Sequence, residues 1–290
     1  MTHLIDGKKI ASQIEQKITN TISQMPGRKP GLVVILVGDH SPSKIYIGMK
    51  KKKCQELGIL SFDDHLPIDT TQEVLLEKIR KYNQDSNIDG ILVQMPLPNP
   101  INAQAIIQAI DPMKDVDGFH PMNMGNLLIG NPDCFCPCTA LGIHMLLTHS
   151  SIPIAGKHVV IVGRSAIVGK PLAALLMQKS NDCNATVTIA HSMSQHLAEI
   201  CRSADILIAA IGRAHFIKEN MVREGASVID VGINRVKTGS GEHGIVGDVD
   251  FASVAPKCHA ITPVPGGVGP MTIAMLMSNT LLSFQRNPMK

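Results

Sequence analysis

A tyrosine stands four residues ahead of a lysine in the stretch SKIYIGMKKKK, as Tyr46-x-x-x-Lys50. Residues four apart share one face of a helix. A phenol and an ammonium can therefore be turned toward one substrate, the ammonium as a group that moves protons. Lys53 lies about one turn further along, while Lys51 and Lys52 point elsewhere. Taken alone, such a lysine run also reads as the wet face of a helix. A second candidate is the glycine turn GRSAIVGKP, between VVIV and PLAALL. A strand–turn–helix junction aims backbone N–H groups and the positive end of a helix dipole at one point, which suits a pyrophosphate.

The turn departs from two familiar patterns. Ser165 replaces the middle glycine of G-x-G-x-x-G, and the distance from Gly163 to Gly169-Lys170 is one residue too long for a P-loop. Pro171 also stands where a P-loop needs Ser or Thr for Mg²⁺. The junction is thus closer to a dinucleotide site than to an ATP site, with a plain tight turn as the other reading. The next strand, ATVTIAHS, ends in His191 and Ser192 and carries no acid. A site for NAD normally has Asp or Glu there for the ribose 2′-hydroxyl. Without that carboxylate a 2′-phosphate meets no repulsion, and Arg164, His191 and Ser192 could all contact it. NADP is the expected cofactor. The triplet of thiols in CFCPC, Cys134 to Cys138, has one-residue gaps, whereas zinc sites favour C-x-x-C. No metal is expected.

The elements that must position these residues alternate. GLVVILVG (31–38) and IDGILVQMPLP (88–98) read as buried strands. Between them lie a helix through Tyr46 and Lys50, with Gly58 as its C-cap, and the amphipathic TQEVLLEKIRKYNQ, capped by Thr71 or Thr70. From Pro112 to Pro137 the chain is rich in Pro, Gly, Asn and Asp and is expected to be irregular. TALGIHMLLTH is helical, and strands at 185–190, 204–212 and 226–233 follow the glycine turn. GPMTIAMLMSNTLLSFQR (269–286) reads as a helix with Pro270 in its first turn. The expected fold is α/β, with two doubly wound domains and the second of Rossmann type.

Composition narrows the function classes. With 290 residues, about two domains are expected. A net charge of +3 shows no basic excess for nucleic acid, and 3% aromatics supply few stacking platforms for single strands. No run approaches the roughly 18 apolar residues of a membrane span. The start, MTHLIDGKKIASQI, does not read as a leader, and seven cysteines suit a reducing cytosol. A small-molecule enzyme is expected, without nucleic acid or membrane as partner.

Seven blocks occur together and in order: SKIYIGMKKKKCQELGI, GILVQMPLP, DVDGFHPMNMGNL, PCTALGI, GRSAIVGKP, VIDVGINRV and TPVPGGVGPMT. In this the chain resembles the bifunctional methylenetetrahydrofolate dehydrogenase/cyclohydrolase family. The clearest departure is Met95, where that family usually has Leu. The resemblance implies a discontinuous folate-binding domain (1–138 plus 270–290), an inserted NADP domain (139–269), an active cleft between them and a homodimer. It implies oxidation of 5,10-methylenetetrahydrofolate by NADP⁺, then hydrolysis of the methenyl product to 10-formyltetrahydrofolate.

It also implies roles for residues. Lys50 is the proton-transfer group, Tyr46 stacks on the folate, Gln94 hydrogen-bonds and tunes the lysine, and Asp117 reads the pterin's amino-pyrimidine edge. Asp115 is the neighbour most easily confused with Asp117. Val93, Met95 and the loop residues Pro265, Gly266, Gly267, Val268 and Gly269 complete the implied substrate site. Gly163, Arg164, Ser165, His191, Ser192, Gly232 and Ile233 make up the implied cofactor site. Lys51 to Lys53 would attract an acidic polyglutamate tail.

Overall fold

A computed structural model describes residues 2–39, 41–237 and 243–287. Met1 and residues 288–290, the outer ends of the expected folate-binding domain, lie outside the described residues. In chain order the elements are β1 (His3–Leu4), α1 (Gly7–Gln24), β2 (Gly31–Val37), α2 (Ser41–Leu57), β3 (Leu60–Leu66), α3 (Gln72–Gln84) and β4 (Gly90–Val93). There follow α4 (Ala103–Ala109), α5 (Pro121–Ile129), α6 (Cys138–His149), β5 (His158–Val162), α7 (Gly169–Leu176), β6 (Thr186–Ala190) and α8 (Leu197–Arg202). The last are β7 (Ile206–Ala209), β8 (Ser227–Asp230), β9 (Asn234–Lys237), β10 (His243–Val246), α9 (Phe251–Val254), β11 (Ala260–Ile261) and α10 (Val268–Arg286). Two compact units result: Ser12–Cys138 with Ile273–Lys290, and Met1–Ala11 with Thr139–Thr272.

The first of these is built on a parallel sheet ordered β3-β2-β4. Every residue of β2 is buried, as a strand covered on both faces must be. Val33, Ile35 and Val37 pack with Ile91, Leu75, Ile79 and Ile106. Thr71 caps α3, its hydroxyl accepting from Val74 N–H, whereas Thr70 donates to Pro67 O. At the foot of the sheet Arg28 clamps the buried Asp89 with two bonds of 2.6 and 2.8 Å, and Gly31 N–H supplies a third. The C-terminal part of α10 closes this unit. Ser283 donates to Asp89 O, and Asn279 donates to Val116 O and Cys136 O.

One expectation needs correction here, and one strand was not foreseen. The stretch 112–137 contains α5, opened by Pro121 in its first turn and ended by Gly130 at φ +76. His120 Nδ1 caps it by accepting from Met122 N–H. Proline at the start and glycine past the end delimit a helix as well as a loop. The sequence LSFDDHL also forms a full strand, β3; it lies at the sheet edge with only Leu66 fully buried, so its apolar signal is weak.

The second unit carries a six-stranded sheet ordered β1-β11-β8-β7-β5-β6, with every pairing parallel. Strand order reverses at β5: β6 lies on one side and β7 on the other. That reversal makes a crevice at the carboxyl ends of β5 and β7, the place where open α/β sheets take ligands. Thus β1, from the first eleven residues, belongs to this sheet, although those residues were expected in the folate-binding domain. β9 and β10 form a separate antiparallel hairpin.

Candidate active site

In the first unit, Tyr46 and Lys50 lie one turn apart on α2. Tyr46 is 37% exposed, and Lys50 is half-buried. Lys50 Nζ donates to Gln94 Oε1 at 3.0 Å. Gln94 is the first residue past β4; its backbone N–H is tied to Ile35 O at 2.8 Å, and its side-chain amide nitrogen, Nε2, donates to Met95 O at 2.9 Å. The amide oxygen is therefore left pointing at the lysine. Val93 is buried and Met95 half-buried. The neighbouring lysines are used differently: Lys51 pairs with Asp63, and Lys53 with Glu15 and Glu56.

Burial pushes the Lys50 ammonium down from its ordinary value, against the opposing pull of Asp117, Cys138 and Cys54. Burial likewise pushes Asp117 up, while the Lys50 charge and a hydrogen bond from the Cys138 thiol pull it back. Each charge lowers the cost of keeping the other in a poorly hydrated place. Cys138, fully enclosed, is pushed well above an ordinary thiol, so it stays protonated and donates. Its single S–H is shared with Val116 O, 3.3 Å from Sγ. The two nearby aspartates thus differ. Asp115 is 1% exposed, and one of its oxygens accepts from His120 N–H at 2.7 Å and Asn123 Nδ2 at 2.9 Å. It ties the loop to α5. Asp117 is the one in the field of the lysine.

In the second unit, Gly163 follows β5 with φ +137. A Cβ there would run into Ala210 O, at the end of β7, so only glycine fits. A Cβ on Gly169 would run into Gly163 O. Arg164 to Ile167 are exposed. Ser165 serves the turn itself: its hydroxyl accepts from Val168 N–H, and its carbonyl from Lys170 N–H. Val168, at the N-cap of α7, brings no capping side chain. A bare helix N-terminus above a glycine turn at the strand-order reversal fits a dinucleotide pyrophosphate.

Beyond β6, His191 is half-buried and Ser192 exposed. The turn is held by Ser194 Oγ, which accepts from His191 N–H, and by His191 Nδ1, which accepts from Met193 N–H. With Nδ1 occupied as acceptor, Nε2 is the ring nitrogen that carries the proton of a neutral imidazole. Gly232 is buried against Asp248, and Ile233 is 52% exposed. In the loop before α10, Gly266 has φ +110, and a Cβ on Gly267 would press on Pro263 O and Thr262. Val268 and Gly269 form the first residues of α10. A Cβ on Gly7 would collide with Gly267 O, so the start of α1 packs directly on this loop.

Some supporting residues were not singled out in the sequence: Gly7, Ser194, Asp230, Asp248 and Asn279. Each acts through a partner distant in the chain or through a backbone group. Only the glycine at position 7, before an amphipathic run, carries a local signal.

Residues 5–117 match the family description "Tetrahydrofolate dehydrogenase/cyclohydrolase, catalytic domain", and residues 137–288 match its "NAD(P)-binding domain". The bifunctional protein FolD of Protochlamydia amoebophila is 52% identical over 286 residues, covering 98% of both chains. The crystal structure of the FolD methylenetetrahydrofolate dehydrogenase/cyclohydrolase of Campylobacter jejuni has a TM-score of 0.93 at 44% identity, covering 98% of this chain and 99% of that one. The Trypanosoma brucei FolD structure, complexed with NADP cofactor and inhibitor, has a TM-score of 0.92 at 37% identity over 98% of each chain. With both halves matched in order along nearly its whole length, the chain belongs to the tetrahydrofolate dehydrogenase/cyclohydrolase family.

Proposed function

We propose that this chain oxidises 5,10-methylenetetrahydrofolate with NADP⁺ and hydrolyses the resulting 5,10-methenyltetrahydrofolate to 10-formyltetrahydrofolate. The observation that carries the reading is Lys50 Nζ held 3.0 Å from Gln94 Oε1, its basicity lowered by burial, in a chain of this family.

The two reactions ask different things of the protein. In the first, a folate nitrogen lone pair expels hydride from the methylene carbon, and no side-chain base is needed. NADP⁺, when bound, supplies the hydride acceptor. The chain's own task is alignment. Tyr46 offers an exposed ring one turn from Lys50 on which the flat pterin system can stack. Asp117, in its carboxylate form, accepts from adjacent pterin N–H donors.

In the second reaction, water attacks the cationic methenyl carbon and a proton must leave it. Burial lowers the Lys50 ammonium from its ordinary value, and the approach of a cationic substrate lowers it further. Neutral Lys50 takes one proton of the attacking water and passes it to the departing nitrogen, and the second water proton is released to solvent as the C–O bond becomes the formyl carbonyl. Gln94 fixes the direction of Nζ.

At the second unit, Arg164 in the glycine turn and His191 and Ser192 just past β6 are the residues assigned to a 2′-phosphate, with no acid among them. This supports NADP⁺ over NAD⁺. Among the described residues no helix is long and apolar enough to cross a membrane. A cytosolic homodimer remains part of the proposal, on the family resemblance and the thiol-rich composition.

The test is to assay both activities on purified protein and on Lys50→Met. The wild type should form NADPH from methylenetetrahydrofolate and favour NADP⁺ over NAD⁺. Lys50→Met should lose about 10²–10⁴-fold in methenyl hydrolysis, the usual contribution of a positioned acid–base group. Undiminished hydrolysis in that variant removes Lys50 from the chemistry.

A further inference from the structure

Two carboxylates in the second unit, Asp230 and Asp248, are buried at 3% and 0% exposure and have no part in the chemistry above. Asp230 ends β8. Asp248 follows the hairpin β9–β10. Asp248 Oδ2 accepts from Ile211 N–H at 2.6 Å and Gly212 N–H at 2.9 Å. Its Oδ1 accepts from Arg213 N–H at 2.9 Å and Asn234 Nδ2 at 2.8 Å. Asp230 Oδ1 accepts from Gly232 N–H at 2.9 Å and Asp248 N–H at 2.8 Å, and its Oδ2 from Val249 N–H at 2.9 Å.

The two acids form a relay. Asp248 gathers the loop after β7, and Asp230 gathers the turn after β8 and fixes the backbone of Asp248 itself. Two glycines make room for them: a Cβ on Gly232 would run into Asp248 Oδ1, and one on Gly247 into Asp230 Oδ2. The gathered loop begins at Ala210, whose carbonyl oxygen abuts Gly163. One continuous set of contacts thus joins the glycine turn after β5 to the loops after β7 and β8. All three loops sit at the carboxyl ends of their strands, where a dinucleotide lies in a sheet of this kind. Buried networks with every donor matched hold one backbone shape rather than several.

We propose that Asp248 and Asp230 are positioning residues for the dinucleotide, holding residues 210–213 and 231–234 in the shape that receives it. The proposal rests on the dinucleotide reading of the Gly163 turn. Asp248→Asn tests it, because each Asp248 oxygen faces two donors. Whichever way the amide is turned, its NH₂ meets two N–H groups.

In the full-length variant, calorimetry without folate should show NADP⁺ binding weakened by about tenfold or more, the scale of a lost hydrogen bond to a charged group. KM for NADP⁺ should rise in parallel. Methenyl hydrolysis assayed without nucleotide should stay within about twofold of wild type, as a residue outside the shared chemistry predicts. Unchanged NADP⁺ affinity overturns the proposal, and so does hydrolysis that falls together with NADP⁺ binding. Should Asp248→Asn fail to fold, Asp230→Asn is read by the same criteria. Failure of both to fold assigns the pair to stability alone and overturns the proposal. A wild-type protein that binds no NADP⁺ would instead refute the dinucleotide reading on which it rests.

Discussion

Replacing Gln94 by Met removes the side-chain amide, one acceptor and one donor, and keeps the length of the side chain. The side chains are similar in length, and the backbone tie of residue 94 to Ile35 O does not involve the side chain. What is lost is the 3.0 Å bond from Lys50 Nζ and the internal bond from Nε2 to Met95 O. A hydrogen bond to a charged group contributes about 1.5–3 kcal/mol. If that bond directs Nζ at the reacting carbon, its full loss slows methenyl hydrolysis by about 10- to 150-fold. An amide oxygen favours the ammonium over the amine, so its removal adds to the effect of burial and moves the Lys50 titration further toward acid. The assay is the decay of methenyl absorbance across a pH series, beside NADPH formation by the same preparation. Hydride transfer needs no side-chain base and should fall less. Hydrolysis unchanged in rate, or a Lys50 limb displaced toward alkali, would refute the role given to Gln94.

Arg28→Ala should cost about 3–5 kcal/mol in urea unfolding, because it strands the carboxylate of Asp89, buried at 1% exposure, without its cation. A loss below about 1 kcal/mol would rank the pair with ordinary surface bridges. Asp115 is pushed by burial to about 6 from 3.8. A raised carboxyl contributes stability that is fully present below pH 3.8 and is lost as pH rises through 6. Between pH 7 and pH 4 the wild type should therefore gain about 2–3 kcal/mol on Asp115→Asn, which cannot titrate. An unchanging gap would contradict the raised value.

Legibility in the sequence followed the kind of signal each element carried. β2 was readable because GLVVILV is apolar throughout, and it is buried throughout. The helix of Tyr46 and Lys50 was readable from spacing and from Gly58, which takes φ +78. β3 was not, because Asp63, Asp64 and His65 face an edge where burial imposes no pattern. Nor was α5, since its Asn and Gly content mimics a loop and only His120 and Gly130 delimit it. At the site, residue types that perform chemistry stood out, whereas those that hold them did not. Cys138 reaches Asp117, and Asn279 reaches Val116 across 163 positions, and no local pattern announces such pairings.

The same long reach bears on how the protein is made. β1 pairs with β11, so residues 3–4 wait for 260–261 to be synthesised. The sheet β3-β2-β4 likewise lacks Asn279 and Ser283, which bond to Val116 and Asp89, until α10 has left the ribosome. At synthesis rates of about 5–20 residues per second, the early strands spend tens of seconds unfinished. Neither half can mature ahead of the other during synthesis, and a message cut short by a few dozen codons yields two defective halves instead of one sound one.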